Sequence, residues 1–319
     1  MNNGTPRLLV IGAGVNGSIC AAWLHNAGFD VTVLARGKRV EELMQQGIVI
    51  EDPFKKKRSV TSVPVIDVLT PGDIYDYVLV VVRKNQVPEL LPLLARNGSP
   101  NIVFMVNNPS GPDIFTGALG RERVMLGFVF GAGRRVGSVI HGFNAATTTK
   151  NATPFGELEG KVTTRLTSLV DIFNRAGLHA RISMEMTDML TRHAAFVAPL
   201  AHLLILHGCD NYAMARATGD LVLLVDAWRD TIKVLEATGI QTAGDKMMSV
   251  IRFTPKFILV VAMRILFATR FAEVGAAWHC MQAPDEMCQL GIELMERVQR
   301  SGIPAPALHK LFAMSSHAA

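Results

Sequence analysis

The sequence predicts an α/β domain built on a parallel sheet, followed by an all-α domain. Three observations lead there. A short apolar run, Leu8 to Ile11, passes directly into a glycine-rich turn and then a helical repeat. Further short apolar runs recur at α/β spacing through the first half. From about residue 185 strand character fades, and long segments of helical periodicity separated by breakers take over. A chain of 319 residues has room for about two domains. With 49% hydrophobic and 18% charged residues it carries enough apolar material for a core. The expected division is residues 1–183 and residues 184–319.

The first element is the run Leu8 to Ile11, continuous enough for a strand buried on both faces. Gly12-Ala13-Gly14-Val15-Asn16-Gly17 follows and fits G-x-G-x-x-G. Apolar residues then recur at helical spacing through Ile19, Ala22 and Leu24 until Gly28, and Val31 to Leu34 reads as a second buried strand. In this strand–turn–helix–strand setting each glycine has a task. Gly12 makes the tight turn, Gly14 lets backbone approach a pyrophosphate, and Gly17 lets helix pack on strand. The helix N-terminus adds free N–H groups and positive dipole. This is a Rossmann-type, dinucleotide-binding pattern. An NAD site usually places Asp or Glu at the end of the second strand for the ribose 2′-hydroxyl. Here the chain reads Ala35-Arg36-Gly37-Lys38-Arg39, with no carboxylate before Glu41. Arginine suits a 2′-phosphate through its forked donors, so NADP is the expected cofactor.

Tyr77 to Val82 and Ile102 to Val106 read as further strands, ending in Arg83-Lys84-Asn85-Gln86 and in Asn107-Asn108. Ligands bind at the carboxyl ends of strands in such sheets, which puts Arg83 and Asn107 where a nicotinamide ribose would sit. A later β-rich stretch, Val124 to Phe130 and Val136 to His141, reaching Thr153 to Glu157, is expected to close the same sheet. Lys55-Lys56-Lys57-Arg58 lies between two β-branched segments and reads as a solvated hairpin turn.

Composition excludes several classes. Net charge is +5 and the pI about 9.1, which suits an anionic ligand, but no nucleic-acid-binding motif accompanies it. Cys20, Cys209, Cys280 and Cys288 are scattered, which argues against a disulfide framework or a metal site and for a reducing compartment. Mean hydropathy is +0.27. The most apolar candidate span, Phe257 to Phe267, is shorter than the ~20 residues needed to cross a bilayer and contains Arg264. The start lacks a signal-peptide layout, so a soluble cytoplasmic protein without membrane partner is expected.

In the second half Glu185 to His207, Gly219 to Thr238, Lys256 to Phe271 and Asp285 to Ser301 read as helices, separated by Gly208, Gly239-Ile240 and Gly302-Ile303-Pro304. A nucleotide-binding domain followed by a helical one is expected to place a small-molecule site in the cleft between them. The long apolar helices also suit a homodimer.

The GAGVNG turn with arginine after the second strand, the polar ends VVVRKNQV and FMVNN, and the closing DEMCQLGIELMERVQRSGIPAPALHKLF together resemble ketopantoate reductase over nearly the whole chain. The resemblance implies NADPH-dependent reduction of a 2-oxo acid to a 2-hydroxy acid, ketopantoate in the family and hence a place in pantothenate biosynthesis. It implies that Gly12 to Gly17 bind the pyrophosphate and Arg36 the 2′-phosphate. Arg83 stands where the family has a cofactor-contacting lysine, Asn107 matches an asparagine turn, and Gly133 falls at a backbone contact to the cofactor. Glu286 matches an acid near the nicotinamide ribose and the catalytic lysine.

That lysine itself is missing. The family's helix carries lysine and two asparagines at four-residue spacing before Pro-Leu, on one helical face. Anchored on Pro199-Leu200, these positions fall on Leu190, Ala194 and Ala198, or on Thr191, Ala195 and Pro199, and no lysine occurs between Lys161 and Lys233. His193 titrates near neutrality and can replace the lysine. Arg192 can hold a carboxylate or polarise a carbonyl. Thr191 and Asn211 are substrate-side candidates, and His279 is a further one. Methyls in place of amides imply a roomier, less polar pocket. The leading expectation is an NADPH-dependent reductase of a small 2-oxo acid or related ketone. The alternatives are a catalytically inactive NADPH-binding sensor and an imine- or opine-type reductase, since an iminium needs no proton at oxygen.

Overall fold

A computed structural model describes residues 4–146 and 151–316. The chain forms two compact units, Met1–Val106 with Gly111–Thr187 and Asn107–Ser110 with Asp188–Ala319.

In the first unit β1 (Arg7–Ile11), α1 (Val15–Asn26), β2 (Asp30–Leu34) and α2 (Lys38–Gln46) lead into β3 (Ile48–Glu51), β4 (Arg58–Thr61) and β5 (Val65–Ile66). Then come β6 (Tyr77–Val80), α3 (Val87–Arg96), β7 (Ile102–Phe104), α4 (Asp113–Leu119) and β8 (Val124–Gly127). A hairpin, β9 (Gly131–Val136) and β10 (Val139–Asn144), precedes β11 (Thr153–Gly156), α5 (Thr164–Arg175) and β12 (Ala180–Ile182). Among the described residues the main sheet runs β12-β11-β8-β7-β6-β1-β2-β5. It is parallel except where β11 meets β8. Its central strands are the continuous apolar runs, and Leu8, Leu9, Val78, Leu79, Ile102 and Val103 are fully buried, as a sheet covered on both faces demands. The strand order reverses between β1 and β6, which makes the carboxyl ends of those two strands the topological switch point.

The hairpin Gly131–Asn144 corrects one expectation. It does not close the main sheet but builds a second one, ordered β4-β3-β10-β9. Its residues explain why: glycines at 131, 133 and 142 and charges at Arg134 and Arg135 make a half-exposed ribbon, unlike a strand buried on both faces. The basic run forms the turn of the β3–β4 hairpin, with Lys55 to Arg58 exposed and the Asp52 carboxylate accepting from the Phe54 and Lys55 N–H groups at 2.8 and 2.9 Å.

The second unit is helical: α6 (Met186–Leu206), α7 (Asn211–Arg216), α8 (Thr218–Ala237), α9 (Lys246–Phe253), α10 (Lys256–Phe267), α11 (Arg270–Ala272), α12 (Trp278–Gln282), α13 (Pro284–Ser301) and α14 (Pro306–Ser316). The expected helix Lys256 to Phe271 ends early because Thr269 turns extended and caps α11, accepting from the Ala272 N–H at 3.2 Å. Residues 273–277 form a π-helical turn leading into α12. Proline opens α13, where no N–H is needed, and Gly302 closes it in the left-handed region. The α6 helix is long and apolar enough to cross a membrane by length and composition, but 61% of its most apolar window is buried inside the protein. Its stripe of Ala194, Ala198, Ala201 and Leu204 belongs to the core that Leu224, Val225, Leu290 and Leu308 complete.

Candidate active site

The glycine turn closes β1 against β6. A Cβ on Gly12 would stand 2.3 Å from the Val81 carbonyl oxygen, and Gly12 lies at φ +108°, so glycine is required there twice over. A Cβ on Gly17 would stand 1.8 Å from the Gly12 oxygen, which is the close helix–strand approach the pattern anticipates. Gly14 differs, because a Cβ there would meet no protein atom within 4 Å. The fold does not demand this glycine; its bare backbone faces open space. Gly14 is also the N-cap of α1, with no side-chain cap and no acid in the first turn. The first N–H groups of that helix therefore have no side-chain acceptor, the arrangement that receives an anion. The second hairpin flanks the same turn. A Cβ on Gly131 would stand 2.2 Å from Asn16 Oδ1, an atom that is buried without a hydrogen-bond partner, and one on Gly142 would stand 3.2 Å from Val15. Gly133 pairs with Gly142 across the ribbon at φ +149°, and a side chain there would strike the His141 carbonyl.

The three cations after β2 have separate fates. Arg39 is buried and structural: it donates to the carbonyls of Ala13 at 3.2 Å and Ser138 at 3.1 Å and pairs with Glu42 at 3.1 Å. It ties the glycine turn to α2 and the hairpin, a role its residue type alone did not announce. Glu42 also pairs with Arg135 at 3.2 Å, so this carboxylate is committed. Arg36 is 60% exposed and 3.8 Å from a still more exposed Glu89, an ion pair of little strength. Lys38 is exposed. Arg83 begins a short 3₁₀ turn after β6, where its N–H donates to Gln86 Oε1 at 3.2 Å, and the buried Lys84 ammonium lies 5.4 Å from the Phe115 ring centre.

The second unit gathers its own polar cluster. The segment Asn107–Ser110 is gripped by one face of α13, three contacts at Glu286, Glu293 and Arg297. Asn107 Nδ2 donates to Glu286 Oε1 at 3.1 Å, Ser110 donates to Glu293, and Arg297 donates to the Pro109 carbonyl at 2.8 Å. Spacings of seven and four residues put these three on one side of the helix. Asn107 Oδ1 is buried and has no partner. The other oxygen of Glu286, a buried carboxylate, lies 3.6 Å from His279 Nε2. His193 on α6 is half-buried, and burial first and the neighbouring His279 second push its imidazole down to about 4.

The remaining expected residues lie elsewhere in this unit. Arg192 is buried, donates to the Gln241 carbonyl and stands 3.2 Å from Asp245. One turn earlier, Asp188 accepts from the Gln241 N–H at 3.1 Å, so the polar start of α6 clamps the loop before α9. Thr191 is buried. Asn211 donates to the Phe267 and Thr269 carbonyls at 2.7 and 3.3 Å, satisfying the end of α10. Leu190, Ala194, Ala195 and Ala198 are at most 1% exposed. They pack in the core and line no open surface, which overturns the expectation that these alanines widen a pocket. The structure thus brings Asn107 and Glu286 together and sets His279 beside Glu286, with His193 close to His279; sequence reading gave His279 little weight and had no signal for the α13 grip.

Comparison with known proteins fits this arrangement. Residues 8–160 match the family described as ketopantoate reductase PanE/ApbA. The uncharacterized oxidoreductase YkpB of Bacillus subtilis is 27% identical over 202 residues, 61% of this chain and 63% of that protein, so the match spans less than two thirds of the relative. The 2-dehydropantoate 2-reductase of Geobacter metallireducens GS-15 superposes with a TM-score of 0.79 at 18% identity, covering 98% of this chain and 100% of that one. D-mandelate dehydrogenase, in a ternary structure with NADH and anilino(oxo)acetate, gives a TM-score of 0.77 at 14% identity over 98% and 97% of the two chains. The N-terminal part of the chain is therefore similar to the ketopantoate reductase PanE/ApbA family, and the whole chain shares the fold of these solved structures.

Proposed function

We propose that the protein is a cytoplasmic, NADPH-dependent reductase of a small 2-oxo acid or related ketone. The observation that carries this reading is Gly14, a glycine that no packing requires, at the uncapped start of α1. Gly12 to Gly17 and the first N–H groups of α1 would hold the pyrophosphate. Exposed Arg36, whose ion pair with Glu89 is long and solvent-exposed, would hold a 2′-phosphate. Arg83 and Gly133 are the further cofactor contacts that the family resemblance supports. Asn107 Oδ1, buried without a partner, suits a hydroxyl donor of the cofactor ribose or of the substrate. The bound cofactor would supply hydride to the carbonyl carbon. The chain itself must orient the carbonyl and bring a proton to its oxygen, and Glu286 and His193 are the groups proposed for that end. Arg192, Thr191 and Asn211 serve in this reading by fixing α6 and α7 rather than by touching substrate.

The test is NADPH oxidation by purified protein, followed by absorbance, with ketopantoate and with the 2-oxo counterpart of mandelate, against NADH as control. Turnover selective for NADPH supports the reading. Tight NADPH binding with no turnover of any 2-oxo acid would favour a sensor, and turnover confined to imines would favour the imine-type reductase.

A further inference from the structure

His279 stands at an unusual junction. It is on α12, directly after the π-helical turn 273–277, a widened turn that recurs at functional sites. Its Nε2 lies 3.6 Å from a carboxylate oxygen of Glu286, whose other oxygen is already fixed by Asn107 at 3.1 Å. The carboxylate is 4% exposed and the histidine 42%, so a buried acid backs an imidazole that solvent can reach. We propose that His279 is the proton donor in carbonyl reduction, oriented by the Glu286 carboxylate beside it, with Asn107 fixing that carboxylate.

The assignment rests on the reductase reading given above. Electrons and protons balance as follows: the carbonyl carbon takes hydride from the reduced nicotinamide, the C=O π bond breaks towards oxygen, and that oxygen takes the proton of the His279 imidazolium. With Nε2 turned to Glu286, Nδ1 is the nitrogen left to deliver it, and solvent restores the proton afterwards. The groups that face His279 are Glu286 from α13 and His193 from α6; beside it in sequence the Trp278 indole donates to Glu273, and the Cys280 thiol is buried. Glu286 is the carboxylate at close range; His193, held neutral by burial, does not compete for the proton at neutral pH. An imidazole in this place can do the work of the absent lysine, because general acid catalysis needs a positioned, protonated group rather than a particular residue.

Two measurements test this. In the first, H279A is compared with the parent protein under NADPH and the best 2-oxo acid. The expected result is a kcat reduced ~10²-fold or more with KM little changed. NADPH binding by fluorescence should be retained, the decline of kcat towards alkaline pH lost, and partial rescue seen with added imidazole. A kcat within about threefold of the parent, or an unaltered pH profile, overturns the proposal while leaving the reductase reading in place. Absence of turnover in the parent overturns both. In the second, E286Q is assayed beside the parent. The expected result is a kcat reduced ~10-fold or more with NADPH binding retained, and a kcat within about threefold of the parent overturns the role given to Glu286.

Discussion

Gly14 and Gly17 sit three residues apart and make opposite predictions. In G17A the new methyl collides with the Gly12 carbonyl, so stability should fall by about 3 kcal/mol, read as the urea midpoint. In G14A nothing in the protein is struck, and the loss should stay within about 1 kcal/mol, the value of a poorer N-cap. Its cofactor affinity should nevertheless drop ~10-fold or more, because the methyl occupies the approach to the helix N-terminus. Equal effects in both assays for G14A would refute the anion-site reading. Arg36 gives the second residue-scale prediction. R36A should weaken NADPH ~10- to 100-fold, one charge-assisted contact, and leave NADH binding unchanged, as calorimetry would register. At this scale the sequence was informative where a residue type permits only one use. Glycines at fixed offsets were readable in advance. Arg39 was not, since its burial depends on carbonyls of Ala13 and Ser138, the second of which is 99 residues away.

Helix α6 shows what elements add. Its length and apolar stripe were legible, yet the direction of each polar residue on it was not. Asp188 and Arg192, four residues apart, share a face towards the loop before α9, whereas His193 lies close enough to His279 to feel its charge. A helix period fixes which residues point together but not what they meet, and the partners Gln241, Asp245 and His279 come from far along the chain. Replacing Arg192 by leucine should cost about 2–4 kcal/mol, because it strips a charge partner from partly buried Asp245. The double variant R192L/D245N should recover part of that loss in a thermal or urea melt, since the asparagine still caps α9. His202, further along α6, adds a pH dependence. Burial pushes its imidazole down to about 4, below the ordinary 6.5. The unfolded chain therefore takes up a proton between pH 6.5 and about 4 that the folded protein refuses. Stability is intact above pH 6.5 and falls by up to roughly 3 kcal/mol as pH drops through that window. H202L should flatten this part of the stability profile, and an unchanged acid midpoint would count against it.

For the whole molecule, the parallel strands of the main sheet and the helical second half followed from periodicity, while the strand order and the separate ribbon β4-β3-β10-β9 did not, because pairing partners at long sequence distance leave no local pattern. The same limit applies to assembly, but here the surface itself argues. On α10, Phe257, Val261 and Ile265 recur every four residues and are all exposed, with Ile258 and Leu266 beside them and Phe253 and Phe271 at either end. Phe257 is 71% and Ile265 68% exposed, where a solvated helix would carry polar residues. Large apolar side chains offer ~150 Å² or more each, so this face presents roughly 600–700 Å² of apolar surface. That exceeds what monomers usually leave contiguous and approaches the ~800 Å² per partner of a stable interface. We propose a second copy of the chain as its occupant. A two-fold axis through Val261 places Phe257 of each copy against Ile265 of the other, a self-complementary row. Arg264 is the one charge within this stretch of helix, and Lys256 at its start is neutralised by Asp226 at 2.6 Å. The protein should therefore sediment at about twice its chain mass of 34.7 kDa. V261D, which buries a carboxylate on the axis opposite its own copy, should sediment as a monomer with its helical circular dichroism retained. A wild-type protein that remains monomeric at ~50 μM, well above the micromolar dissociation constants of weak specific pairs, would rule the interface out.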